Sequence, residues 1–392
     1  MVIRASVRVV AVALGLVALH APGQGTTNKY TFTHAGYTRT YSVYLPSTCS
    51  PTNPSPLVLQ LTPNAAIRPA LYSMNRVADR EAFLVAYPDP FDDNWMGPAR
   101  TDPYDDVGFL LEVIHRISTD YSVKAAQIYA GGYSAGGIMG EYLGRMAPYQ
   151  LAAVASVAGV RPYVQGTTNY MPLGSPATPC RPFPFLHIHG TADTIVPYGG
   201  GYSQGWNWPP VERVVGDYVS SNGCALTPST TNLPNLDLTD GSTIQLLSYT
   251  NGHMYLDTDG NAREAQVLFY RVVGGGHSWP GDYQGWGALF PWAFPVNRDI
   301  DASEEIWTFF SRHRVAAAPP GRFDGLLYSA GEGFQCTFRD AAVGQRYRIQ
   351  MSASMLPGSW TDLTNVTYTG PVVIRDGALS GPGMKFYRAV CP

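Results

Sequence analysis

The sequence predicts an α/β fold, a mostly parallel sheet flanked by helices, followed by a small all-β, sandwich-like unit. Three observations predict it. Apolar runs without alternation at residues 57–61, 83–87 and 183–189 are separated by helix-patterned stretches, as in strands buried on both faces. Residues 128–140 read as strand, sharp turn and helix around Gly132-Tyr133-Ser134-Ala135-Gly136. Beyond about residue 314 the pattern changes to short strands spaced by turn residues.

Composition bounds the rest. A chain of 392 residues, 45% apolar and 14% charged, suits one large domain and one small one. The net charge of −3, without a long basic run, argues against a nucleic-acid partner. Residues 1–25 read as a signal peptide: Arg4 and Arg8, an apolar core at 9–19, then small residues. Pro22 makes a cut after Ala21 awkward, and the core is too short to span about 30 Å of hydrocarbon. The mature protein is therefore expected to be secreted or periplasmic, monomeric and free of the membrane. Five cysteines fit an oxidising compartment. Cys336 and Cys391 are expected to pair, whereas Cys49, Cys180 and Cys224 leave one thiol over. No Cys/His cluster calls for a metal, and nothing calls for a cofactor.

In order, residues 29–46 alternate about Gly36 as a hairpin, and helices are expected at 71–80 and after Asp105-Asp106. Two adjacent aspartates could be an acid/base dyad, but a helix cap with a first-turn charge is the plainer reading. Ser134 follows, then a strand at 151–157, the run at 183–189 and a helix at 209–222. Residues 236–273 read as β-structure with turns at 240–241 and 259–260. The turn Asp257-Thr258-Asp259-Gly260-Asn261 has its glycine misplaced for a calcium loop, so a hairpin turn is expected. Asp301 and Glu304 open a last helix in the manner of a capping box. Residues 26–314 form the large domain, 315–323 a linker and 324–392 the small β-unit.

An exposed serine needs a base, and the base needs a carboxylate to fix its tautomer. Downstream of Ser134, Asp193 stands just after a buried strand, where loops face the active edge of a parallel sheet. His277 stands just after the next long strand, among glycines. Ser134 is thus the candidate nucleophile, His277 the base and Asp193 its partner. His187 and His189 lie within the strand before Asp193 and read as core or supporting groups. His34, His115, His253 and His313 sit in hairpins or helices, and Asp299 and Asp301 read as caps.

The stretches around Ser134, His189-Gly190-Thr191-Ala192-Asp193 with Val196-Pro197-Tyr198, and Gly274-Gly275-Gly276-His277-Ser278-Trp279-Pro280-Gly281 resemble the secreted polyhydroxybutyrate depolymerase and feruloyl esterase-like family. So do Ala78-Asp79-Arg80-Glu81, Asp106-Val107-Gly108-Phe109 and Asp301-Ala302-Ser303-Glu304. The resemblance covers about residues 28–314. It implies an α/β-hydrolase fold and hydrolysis of carboxylic esters through an acyl-enzyme, on polymeric or polymer-linked substrates. The C-terminal segment looks like accessory β-domains of secreted hydrolases, with polymer binding and plain stabilisation as its two readings.

One departure matters. The family usually carries His-Gly after the strand matching 57–61, where a backbone N–H helps form the oxyanion hole; here Thr62-Pro63-Asn64 stands. Proline has no N–H to give. Ala135 is expected to supply one donor, and Asn64, or the Thr62 hydroxyl, the second. Trp95, Tyr133, Trp206, Trp279 and Trp286 are candidate substrate contacts, with loop packing as the alternative. The departure also motivates a second reading, a binding protein without activity on the same fold. A serine peptidase is a third.

Overall fold

The computed structural model describes residues 25–50, 53–64, 73–93, 95, 104–163, 167–169, 179, 181–281, 295–317, 320–329, 333–341, 346–352, 361–377 and 386–390. The expected signal peptide, Cys180, Cys391 and Trp286 lie outside them.

A ten-stranded sheet forms the frame, in the order β1-β2-β4-β3-β5-β6-β7-β14-β11-β10. Its centre is parallel: β4 (Leu84–Pro88), β3 (Ser55–Leu61), β5 (Val123–Tyr133), β6 (Ala153–Val157), β7 (Phe185–Gly190) and β14 (Val267–Val273). β3, β4, β6 and β7 are buried along their whole length, which is why their sequences carry apolar residues without alternation. The antiparallel hairpin β1 (Thr26–His34) and β2 (Tyr37–Leu45) closes one side. β10 (Ser229–Asn232) and β11 (Thr243–Tyr249) close the other. The sheet separates two apolar layers, one containing Phe185, Phe269 and Val196, the other Leu186, Ile188 and Trp307.

Helices cover both faces: α1 (Ser73–Glu81), α2 (Asp106–Asp120), α3 (Ala135–Met146), α4 (Val211–Ser221) and α5 (Ala302–Phe310). Asp105 caps α2 by accepting from the Gly108 N–H at 3.0 Å, as the plainer reading of the aspartate pair has it. Its neighbour Asp106 does something the sequence does not announce. It forms a buried ion pair with Arg39 of β2 at 2.7 Å. Asp301 caps α5, accepting from the Ser303 N–H at 2.8 Å. The Asp257 turn joins β12 (Met254–Leu256) to β13 (Ala262–Glu264), and its carboxylate takes the N–H groups of Asp259 and Asn261 and pairs with Arg263.

Two three-stranded sheets follow. One is β15 (Pro320–Ser329), β16 (Gly333–Ala341) and β19 (Val372–Asp376); the other is β18 (Thr361–Thr367), β17 (Arg346–Ser352) and β20 (Phe386–Val390). Cys336, Phe338 and Ile374 from the first share an apolar cluster with Tyr347 and Ile349 from the second. β15 begins at Pro320, inside the stretch read as a linker. Cys336 is a free, buried thiol whose pKa burial pushes up to about 11, and Cys391, its expected partner, lies outside the described residues. Cys49 and Cys224 are free thiols as well. Among the described residues no helix is long and apolar enough to cross a membrane.

Candidate active site

Ser134 ends β5 and begins α3, and the two elements meet at close quarters. A Cβ on Gly132 would lie 2.5 Å from the Gly136 carbonyl, and one on Gly136 would collide with the carbonyl of Leu61 at the end of β3. Only glycine lets strand, helix and neighbouring strand approach this closely. Ser134 itself has φ 53° and ψ −124°, a region that strains an L-residue. Its N–H donates to the Val157 carbonyl on β6 at 2.8 Å, which helps hold the turn.

The turn delivers Ser134 to residues far along the chain. Ser134 Oγ lies 3.0 Å from His277 Nε2, and His277 Nδ1 lies 2.8 Å from Asp193 Oδ2. A carboxylate only accepts, so His277 Nδ1 carries the hydrogen, and the neutral ring leaves Nε2 to receive the serine proton. His277 follows β14 and Asp193 follows β7, so all three stand at the carboxyl ends of parallel strands of one sheet, with β6 between β5 and β7.

Asp193 is the most constrained of the three. Its Oδ1 accepts the Ile195 and Val196 N–H groups, each at 2.8 Å. Burial alone would raise its pKa, but the hydrogen bonds from His189 and His277 outweigh burial and hold the carboxyl well below the usual range. The Tyr133 hydroxyl donates to the His277 carbonyl at 2.8 Å, which ties the histidine loop to β5.

The other predicted residues fall into two groups. Ala135 is the first residue of α3, whose opening N–H groups have no acceptor within the helix. Because Gly136 packs on Leu61, the half-buried Asn64 follows a strand end that abuts this helix terminus. The Thr62 carbonyl accepts the Trp95 indole N–H at 2.8 Å, and both Trp95 and Trp279 are only 2% exposed. Those two rings are packed in the apolar layers, Trp95 in one and Trp279 in the other. Tyr133 is also buried, while Trp206 is half-buried on the hairpin of β8 (Gly201–Ser203) and β9 (Trp206–Trp208). Nothing in the sequence pattern announces that hairpin's place, beginning eight residues past Asp193 and seated on the Thr194 carbonyl through Ser203 Oγ at 3.0 Å.

The comparisons agree with this frame. Residues 110–205, which include Ser134 and Asp193, match the model of the Phospholipase/Carboxylesterase family. Over 220 residues, 55% of this chain and 36% of the relative, the sequence is 30% identical to feruloyl esterase B of Piromyces equi. It is 26% identical over 310 residues, 76% of this chain, to a bifunctional acetylxylan esterase/xylanase of Neocallimastix patriciarum. The chain spans 36% of the length of each of these relatives. Among solved structures, an acetyl xylan esterase from Aspergillus awamori superposes with a TM-score of 0.46 at 13% identity, covering 72% of this chain and 99% of that one. The chain has the α/β-hydrolase fold, and over part of its length its sequence is similar to a feruloyl esterase.

Proposed function

We propose that the protein hydrolyses carboxylic esters carried on a polysaccharide, through an acyl-enzyme on Ser134. The observation that carries the reading is the run of hydrogen bonds from Ser134 Oγ through the His277 ring to Asp193 Oδ2, at 3.0 and 2.8 Å. His277 Nε2 takes the serine proton as Oγ attacks the ester carbonyl carbon, and Asp193 stabilises the imidazolium that forms. The tetrahedral oxyanion sits at the N-terminus of α3, with the Ala135 N–H as one donor and the Asn64 N–H as the second. His277 then returns the proton to the leaving alcohol. Water repeats the cycle on the acyl-enzyme and releases the acid.

Feruloyl and acetyl groups on xylan are the substrates that similarity to the two fungal relatives supports. A polyhydroxyalkanoate or aromatic polyester, a signal peptide at 1–25 and a secreted, monomeric protein remain part of the proposal. The test is hydrolysis of p-nitrophenyl acetate, methyl ferulate, acetylated xylan and a polyester film by the protein and by Ser134→Ala. Turnover on the xylan esters that vanishes in the variant supports the reading. Equal inertness of both proteins on every ester overturns it and favours the second reading, a binding protein, for which Pro63 in the oxyanion turn is the motivating feature.

A further inference from the structure

We propose that His189 is a positioning residue for the site, locking the turn that carries Asp193 and directing an N–H past its carboxylate. The inference rests on the reading of Ser134, His277 and Asp193 given above. β7 sends Phe185, His187 and His189 to one face of the sheet, where a fully apolar strand would suffice for packing. Instead His187 Nε2 lies 3.1 Å from His189 Nδ1, and His189 Nε2 lies 2.8 Å from the Val196 carbonyl and 3.3 Å from Asp193 Oδ2.

The partners dictate the tautomers. A carbonyl only accepts, so His189 Nε2 carries the hydrogen and Nδ1 of the neutral ring is the acceptor. His187 must then give its Nε2–H to His189, which leaves His187 Nδ1 as a bare acceptor, buried and without a partner among the described residues. An imidazolium at His189 would reverse the second bond and bury an unmatched Nδ1–H on His187 beside a new charge, the costlier arrangement. The opposite neutral tautomer of His189 would turn a lone pair on both the Val196 carbonyl and the carboxylate.

The same turn is gripped from two sides. Ile195 and Val196 give their N–H groups to Asp193 Oδ1, while the Val196 carbonyl is held by His189. Oδ1 is thereby fixed, and Oδ2 is left facing His277 with the His189 N–H alongside. That N–H dipole draws negative potential off Oδ2. Without it the carboxylate favours the His277 imidazolium more strongly, and its own placement loosens. Among the described residues, the other titratable groups around these rings are few. Tyr133 on β5 gives its hydroxyl to the His277 carbonyl, and Tyr198 turns its hydroxyl to Glu212 of α4, which pairs with Arg271 of β14.

The experiment compares kcat/KM against pH for the protein, His189→Phe and His189→Gln on p-nitrophenyl acetate, normalised by fluorophosphonate titration of Ser134. It adds the histidine tautomers of the unaltered protein by long-range 1H–15N NMR. In His189→Phe the acid limb should move up by roughly half to one pH unit, with kcat down roughly ten- to a hundredfold and KM little changed. His189→Gln keeps a donor near Nε2 and should restore most of both. NMR should find His189 protonated at Nε2 alone. An unmoved acid limb in His189→Phe, or an Nδ1-protonated His189, overturns the proposal while leaving the Ser134 reading intact. If no ester is hydrolysed, that reading fails and the NMR tautomer decides His189 by itself. If His189→Phe does not fold, the Gln variant and the NMR decide.

Discussion

The Leu61 carbonyl occupies the space that a Cβ on Gly136 would need, so the end of β3 and the first turn of α3 are in direct backbone contact. The contact brings the strand end before Asn64 against the helix terminus that begins at Ala135. Gly136→Ala must push β3 and α3 apart. We expect a loss of about 1–3 kcal/mol in stability and a fall in kcat/KM on the order of a hundredfold. Gly216→Ala is the control, because nothing lies within 4 Å of a Cβ there, in the middle of α4. It should gain about 0.5–1 kcal/mol in urea unfolding and leave turnover unchanged. Equal behaviour of the two variants would contradict the packing argument.

Two buried histidines make the fold sensitive to acid. Burial, and secondarily the neighbouring His189, hold the His187 pKa well below its ordinary value. Burial, and then the charges of Arg312, Arg263, Arg314 and Arg181, push His313 down to about 3. Both rings stay neutral in the folded protein while the unfolded chain protonates them below about pH 6.5. The unfolded state therefore binds more protons, and stability falls as pH falls through that value. Each ring contributes a slope of about 1.4 kcal/mol per pH unit. For His313 the loss continues down to about pH 3. Urea unfolding of His313→Leu between pH 7 and 4 should show a slope shallower by that amount. An unchanged slope would mean that His313 titrates in the folded state.

The Arg39–Asp106 pair ties β2 to the first turn of α2, with both side chains almost wholly out of water. Removing the carboxylate strands a guanidinium in the core. Asp106→Ala should cost about 3–5 kcal/mol, read as a fall in the urea midpoint. Asp105→Ala removes an exposed cap together with its 2.9 Å contact to His34 Nε2, and should cost about 1 kcal/mol. Comparable losses in the two would show that burial of the pair is not what counts.

Trp95 acts on the site from behind. Its indole N–H holds the Thr62 carbonyl, one residue before Pro63 in the turn proposed to complete the oxyanion hole. Trp95→Phe keeps the ring but leaves that carbonyl unsatisfied, costing about 1–3 kcal/mol. Beyond that loss, kcat should fall with little change in KM for acetyl and feruloyl esters alike. A selective rise in KM for the feruloyl ester would instead mean that the ring meets substrate.

Much of this was legible in the sequence, for physical reasons. The central strands are buried on both faces, so their unalternating runs stand out, and the serine, acid and base candidates follow strand ends in an order the eye can trace. What escaped lacks such a signal. β10 reads Ser-Thr-Thr-Asn and is exposed throughout. β15 contains Gly325 at φ 61° within a register shift between Asp324 and Leu327, which breaks the alternation a strand would show. Trp95 and Trp279 lie outside helices and strands and looked available to substrate, whereas tertiary packing buries both. The grip of His189 on the Asp193 turn depends on a carbonyl, Val196, that carries no side-chain signature.

The chain leaving α5 has little slack. Val315 and Ala317 are hydrogen-bonded to Thr258 and Leu256 of the β12–β13 hairpin, and β15 begins at Pro320. The three residue steps from Ala317 to Pro320 reach at most about 11 Å. If the C-terminal sheets grip an insoluble polymer, such a short leash would not let the site around Ser134 roam over the surface as a long flexible tether would. It would work as a bracket, and the protein would have to let go and land again to reach fresh bonds. A glycine-serine insert after Ala317 would turn the bracket into a leash, and the number of esters cut per landing would report the difference.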